Sequence, residues 1–129
     1  MNIWEIATNY YQYFLRGTRT TILISLLTVF CGSILGCLIA FMRLSKFKPL
    51  EKFASIYITV IRGTPVVIQL LIMYYVIFAS SSNGLMVATM AFGLNSGAYV
   101  SEIVRGGILS VEKGQMEAGR SLGLNYVQT

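Results

Sequence analysis

The sequence predicts an all-α protein, a polytopic membrane helix bundle, and three observations predict it. The 129 residues are 55% hydrophobic and only 12% charged, whereas a soluble domain runs near a quarter charged; the mean hydropathy is +0.67. Apolar stretches of membrane scale recur along the chain. The basic residues gather in particular loops, which makes the net charge of +5 a statement about topology. No aromatic-basic interleaving and no basic run long enough to follow phosphates is present, so a nucleic-acid partner is not expected.

Residues 3 to 14 carry Trp4, Tyr10, Tyr11, Tyr13 and Phe14, with Ile3, Ile6 and Phe14 helically spaced. They predict a short helix lying at the outer interface, where amphipathic rings sit at headgroup level. The first span follows over 20–42, about 23 uncharged residues and enough to cross a hydrocarbon core of roughly 30 Å. It is too long for a signal-peptide core and is followed by no small-residue cleavage pattern. Within it Thr28, Gly32, Gly36 and Ala40 place a small residue every fourth position, a stripe that lets another helix approach closely. Cys31 and Cys37 lie in the same span, roughly 9 Å apart along a helix, too far for a disulfide. With no histidine in the chain, a thiol-imidazole metal site is excluded and no metal is expected.

Leu50 to Ile61 reads as an inner-surface lead-in to the second span, predicted over 64–80. That span is broken at its start by Arg62, Gly63, Thr64 and Pro65. Thr64 is read as an N-cap and Pro65 as the first helical turn, and residues before proline are biased away from helix, which predicts a bend. Gln69, about one turn further in, is an amide that needs a partner in lipid. Ser80 to Gly84 form an uncharged loop. The third span, over 85–104, has two faces. Thr89, Gly93, Gly97 and Ser101 make a packing stripe, while Asn95, Tyr99 and Glu102 fall at i, i+4 and i+7 on roughly the opposite side. Polar stripes of this kind face a bundle interior or an aqueous path. Arg62 and Glu102 are expected at the same depth and to approach each other, directly or through Arg105.

Arg43, Lys46, Lys48 and Lys52 fill the loop after the first span; Arg105, Lys113 and Arg120 follow the third. Only Arg16 and Arg19 precede the first. The positive-inside rule therefore predicts an outer amino terminus, with the 43–52 loop and the C-terminal end cytoplasmic. Residues 108–129 become a charged cytoplasmic segment containing Glu117-Ala118-Gly119-Arg120-Ser121-Leu122-Gly123. No phosphate-binding Gly-x-x-x-x-Gly-Lys loop and no catalytic constellation is present, so the chain is not expected to be an enzyme.

Arg62-Gly63-Thr64-Pro65 with Val66 to Tyr75 resembles the second-span signature of permease subunits of polar amino acid ABC importers. Leu94 to Ile108 resembles the third-span signature of the same family, and Lys113 to Ala118 with Gly123 resembles its EAA loop. The resemblance runs from about Tyr13 to Thr129. It implies the binding-protein-dependent type I ABC importer permease fold of a bacterial inner membrane, with about three of the usual five spans present. It implies as partners a second permease subunit, identical or homologous, a cytoplasmic ABC ATPase dimer holding ATP and Mg, and an extracytoplasmic substrate-binding protein. This chain itself would bind no cofactor. Glu117, Ala118, Gly119 and Gly123 then fall on the ATPase-coupling helix. Gln69, Asn95, Ser96 and Tyr99 are read as lining the substrate path, because amides and hydroxyls supply both donors and acceptors to a zwitterion. Arg62, Gly63, Thr64, Pro65, Glu102 and Arg105 are read as structural or gating residues, and Gly32, Gly36, Gly93 and Gly97 as packing residues.

Two departures stand out. Gly119 occupies the place of the motif's second alanine and should loosen the helix. The family pattern also continues to a later Ile and Leu-Pro and two more spans, so the chain reads as the amino-terminal part of one transmembrane permease domain, truncated at its C-terminus. A non-transporting membrane anchor or assembly protein, or a non-functional fragment, is the alternative. A channel is disfavoured because no acidic ring or filter repeat appears.

Overall fold

A computed structural model describes residues 2–129, and its regular structure is helical throughout. Helix α1 spans Ile3–Leu44 and α2 spans Lys48–Gly63. Helix α3 spans Val66–Ile72 and continues as a π-helical turn over Met73–Ile77, which closes with Phe78 N–H donating to the Met73 carbonyl at 2.8 Å. Helix α4 spans Gly84–Leu109 and α5 spans Lys113–Ser121.

The 42-residue α1 is a correction to the sequence reading. Residues 3–14 are not a separate interfacial helix; they are the first turns of the helix that carries the 20–42 span. No proline interrupts residues 15–20, Gly17 alone costs a helix only about 1 kcal/mol, and the Thr20 hydroxyl donates back to the Arg16 carbonyl at 3.0 Å within the helix. At 1.5 Å per residue α1 is about 63 Å long, twice the hydrocarbon thickness. Trp4 and Tyr13 on its amino-terminal part are 81% and 70% exposed.

α1 and α4 form the principal seam, and they run parallel. A Cβ added at Gly32 would sit 2.6 Å from Ser96 Oγ, and one at Gly36 would sit 2.6 Å from Val100 Cβ. Gly97 in turn receives Leu35, and Gly93 faces Cys31. The two small-residue stripes thus meet each other, allowing the backbones to approach as far as glycine permits. Ala40, Gly93, Gly97, Ala98 and Ser101 are buried.

Two small apolar cores flank this seam. Ile39 of α1 packs with Ala54 and Ile58 of α2, joined by Leu35, Met42 and Tyr57. Met73 packs with Val87 and Ala91 of α4, joined by Leu70, Phe78 and Leu94. α2 is therefore packed into the bundle and is more than a surface lead-in.

Between α2 and α3 the chain bends by 104°. Thr64 and Pro65 hold extended backbone there, with ψ of 141° and 135°. Thr64 is the C-cap of α2 and Pro65 the N-cap of α3, each one step from the role read in sequence. The helix of the second span consequently begins at Val66 and ends at Ile77, inside the 64–80 window. By length and apolarity α1 qualifies as a membrane-crossing helix, and α2 with α3 qualifies if the bent pair counts as one span. α4, long enough at 26 residues, is diluted by Asn95, Ser96, Tyr99 and Glu102.

Candidate functional site

The polar residues of α4 meet the bend and the helix ends around it. Nearest the α3 arm, Asn95 Nδ2 donates to Gln69 Oε1 at 3.2 Å. Gln69 Nε2 points the other way, at the Ile61 carbonyl (2.7 Å), the Thr64 carbonyl (3.1 Å) and Thr64 Oγ1 (2.6 Å). Carbonyl oxygens only accept, so this environment fixes which end of the Gln69 amide is nitrogen. One residue before Asn95, the Leu94 carbonyl accepts from Tyr57 Oη at 2.6 Å. Both arms of the bend are thus hydrogen-bonded to consecutive residues of α4.

One turn onward, the Arg62 guanidinium carbon lies 5.2 Å from the Tyr99 ring centroid, a cation–π contact. Arg62 Nη1 also lies 3.5 Å from Glu102 Oε2, the direct approach expected from depth. Glu102 has two further partners: Arg43 Nη1 at 2.9 Å and Arg105 Nε at 3.5 Å from Oε1. One carboxylate therefore ties the last turn of α1, the last turn of α2 and α4 itself. Sequence reasoning had counted Arg43 only as a loop cation. Its role depends on the parallel α1–α4 register, which is invisible before the seam is known.

The path candidates separate in space. Gln69 and Asn95 are together, and Tyr99 stands beside Arg62. Ser96 lies against Gly32 in the α1–α4 seam. With Asn95 it borders a groove of about 480 Å³ that Thr21, Ser25 and Thr28 of α1 also line. Gly63 has open space around it. Among the described residues no group of three or more Asp, Glu or Cys has metal-holding geometry.

The expected coupling residues lie apart from this cluster. α5 makes no substantial contact with α1–α4, and Glu117 and Ala118 are exposed. The 108–129 segment is subdivided: residues 108 and 109 complete α4, and a short turn leads to α5. Gly123 has φ +83°. Leu124 N–H donates to the Gly119 carbonyl and Gly123 N–H to the Arg120 carbonyl, at 3.1 and 3.0 Å, which is the Schellman pattern. Gly119 lies under the Thr129 side chain, 2.5 Å from where a Cβ would stand.

Residues 32–129 match the family model described as "Binding-protein-dependent transport system inner membrane component". The chain is 39% identical over 127 residues to the probable amino-acid ABC transporter permease protein YckA of Bacillus subtilis (strain 168), covering 97% of this chain and 56% of that protein. It is 39% identical over 129 residues to the L-cystine transport system permease protein TcyB of the same organism, covering 98% and 55%. A solved structure described as "Crystal structure of an amino acid ABC transporter with histidines" superposes with a TM-score of 0.85 at 38% identity, covering 98% of this chain and 60% of that one. The chain spans about half the length of the curated relatives it matches.

Proposed function

The chain belongs to the family of binding-protein-dependent transport system inner membrane components, and on that premise we propose that it forms the amino-terminal half of a permease subunit in an ATP-driven amino-acid importer. The observation that carries this reading is the polar stripe of α4. Asn95, Tyr99 and Glu102 all face polar or charged partners on the bent α2–α3 pair. A packing-only helix would place apolar or small residues there, since unneeded polarity inside a membrane is costly.

Asn95, Ser96 and Tyr99 line the path near mid-membrane, with Gln69 behind Asn95. The Glu102 cluster marks its cytoplasmic end, and the amino terminus is outside. α5, exposed and standing off the bundle, seats Glu117, Ala118 and Gly119 in an ATPase partner that holds ATP and Mg. Gly123 turns the chain back after it. A second permease subunit completes the path, and an extracytoplasmic binding protein delivers the amino acid.

The test uses the full chain co-expressed with its transporter partners and reconstituted in liposomes. Asn95→Leu should abolish most uptake while leaving ATPase copurification intact; Glu117→Lys should release the ATPase. Unchanged uptake in the first variant removes the path assignment. Unchanged ATPase binding in the second returns α5 to the status of a surface helix, as an anchor or assembly protein would have it.

A further inference from the structure

We infer that Gln69 is a positioning residue: its amide clasps the α2–α3 bend and thereby sets which atom Asn95 presents. The bend creates a backbone problem. The last carbonyls of a helix have no partner within it, and here the residue that would satisfy the Ile61 carbonyl is Pro65, which has no N–H. An orphaned carbonyl inside a bundle is costly to leave without a donor, so a partner from the protein stabilises the bend.

The structure answers with side chains. Thr64 Oγ1 donates to the Val60 carbonyl at 2.9 Å, which leaves that hydroxyl free to accept. Gln69 Nε2 then supplies hydrogens to the Ile61 carbonyl at 2.7 Å and to Thr64 Oγ1 at 2.6 Å, with the Thr64 carbonyl 3.1 Å away. A primary amide has two hydrogens, and three acceptors already surround them. None is left for a passing substrate.

The consequence reaches Asn95. Gln69 Oε1, held in place by the clasp, accepts from Asn95 Nδ2. The Asn95 carboxamide is therefore turned with its nitrogen toward the bend and its Oδ1 outward. Asn95 presents an acceptor, which suits a donor group such as an α-ammonium and not a carboxylate. This last step rests on the transport reading; the clasp does not.

The test reads the bend directly, in the full chain in liposomes, with Cys31 and Cys37 replaced by alanine and spin labels at Ile56 and Val76. Both positions are exposed, one on each arm. With the observed bend of 104° their Cα atoms stand roughly 18 Å apart, against about 30 Å in a straight helix. The unsubstituted chain should show one narrow short distribution. Gln69→Leu should broaden it and shift it longer, whereas Asn95→Leu should leave it unchanged. An unaltered distribution in Gln69→Leu overturns the clasp. A control pair at Ile34 and Ile103 reports on the α1–α4 seam. If it moves too, the milder Thr64→Val carries the comparison, and its bend distribution must still broaden or the inference fails. A transport-silent chain with an intact clasp would count against the path reading alone.

Discussion

Glu102 faces three guanidiniums with a single carboxylate, and that asymmetry decides how substitutions there behave. Removing one arginine leaves two partners on Glu102; removing Glu102 leaves Arg43, Arg62 and Arg105 facing one another. Glu102→Gln should therefore destabilise the bundle by about 1–3 kcal/mol, more than Arg43→Gln, Arg62→Gln or Arg105→Gln singly. Thermal unfolding in detergent ranks the four; an arginine variant as costly as Glu102→Gln would contradict the shared role. Glycines supply a second residue-scale contrast. Gly36→Ala pushes a methyl group to 2.6 Å from Val100 and should cost about 1–3 kcal/mol by overpacking. Gly17→Ala meets nothing within 4 Å and should stabilise the helix by up to about 1 kcal/mol. The same unfolding assay separates them. The Arg62–Glu102 approach was legible because both residues stand at ends of apolar stretches that the basic loops assign to one side. Arg43 was not, since its partner lies 59 positions away, across a seam whose direction no local pattern reveals.

α5 illustrates how little holds a short helix that has no other helix packed against it. Nine residues are too few for a stable isolated helix in water, so its terminal hydrogen bonds matter disproportionately. Gly123→Ala would force an L side chain into the left-handed φ of +83° at a cost of about 1–2 kcal/mol. Trypsin cleavage after Lys113 and Arg120 should then quicken while cleavage elsewhere is unchanged; equal rates in both chains would show that the Schellman turn is dispensable. Among the other elements, the bend was readable from Arg62-Gly63-Thr64-Pro65, because proline restricts its predecessor wherever it stands. The bonds that fix it were not readable. Gln69 reaches backbone carbonyls, and a pattern of side-chain types holds no record of which carbonyls a proline has orphaned. The continuity of α1 escaped for a related reason: the change from aromatic to aliphatic residues near Arg16 looks like a boundary, but neither composition breaks a helix.

For the molecule as a whole, the basic loops yield a topology that labelling can check. Ser81→Cys, with the native cysteines replaced, should react with a membrane-impermeant thiol reagent in intact cells. Lys46→Cys should react only after permeabilisation. The reverse result inverts the protein. The overall plan was visible in the sequence because hydropathy and small-residue spacing are local properties. The relative placement of helices was not, since it depends on how two stripes key together. That keying has a mechanical consequence. Ser96 and Val100 stand over Gly32 and Gly36 like teeth in notches, so a slide of α4 along α1 by a fraction of a turn would drive side chains onto backbone. The notches do not continue: one step of four residues, about 6 Å, would bring Val100 onto Ala40, which already carries a methyl group and is fully buried. The seam therefore holds α1 and α4 in a single register and resists sliding of one helix along the other.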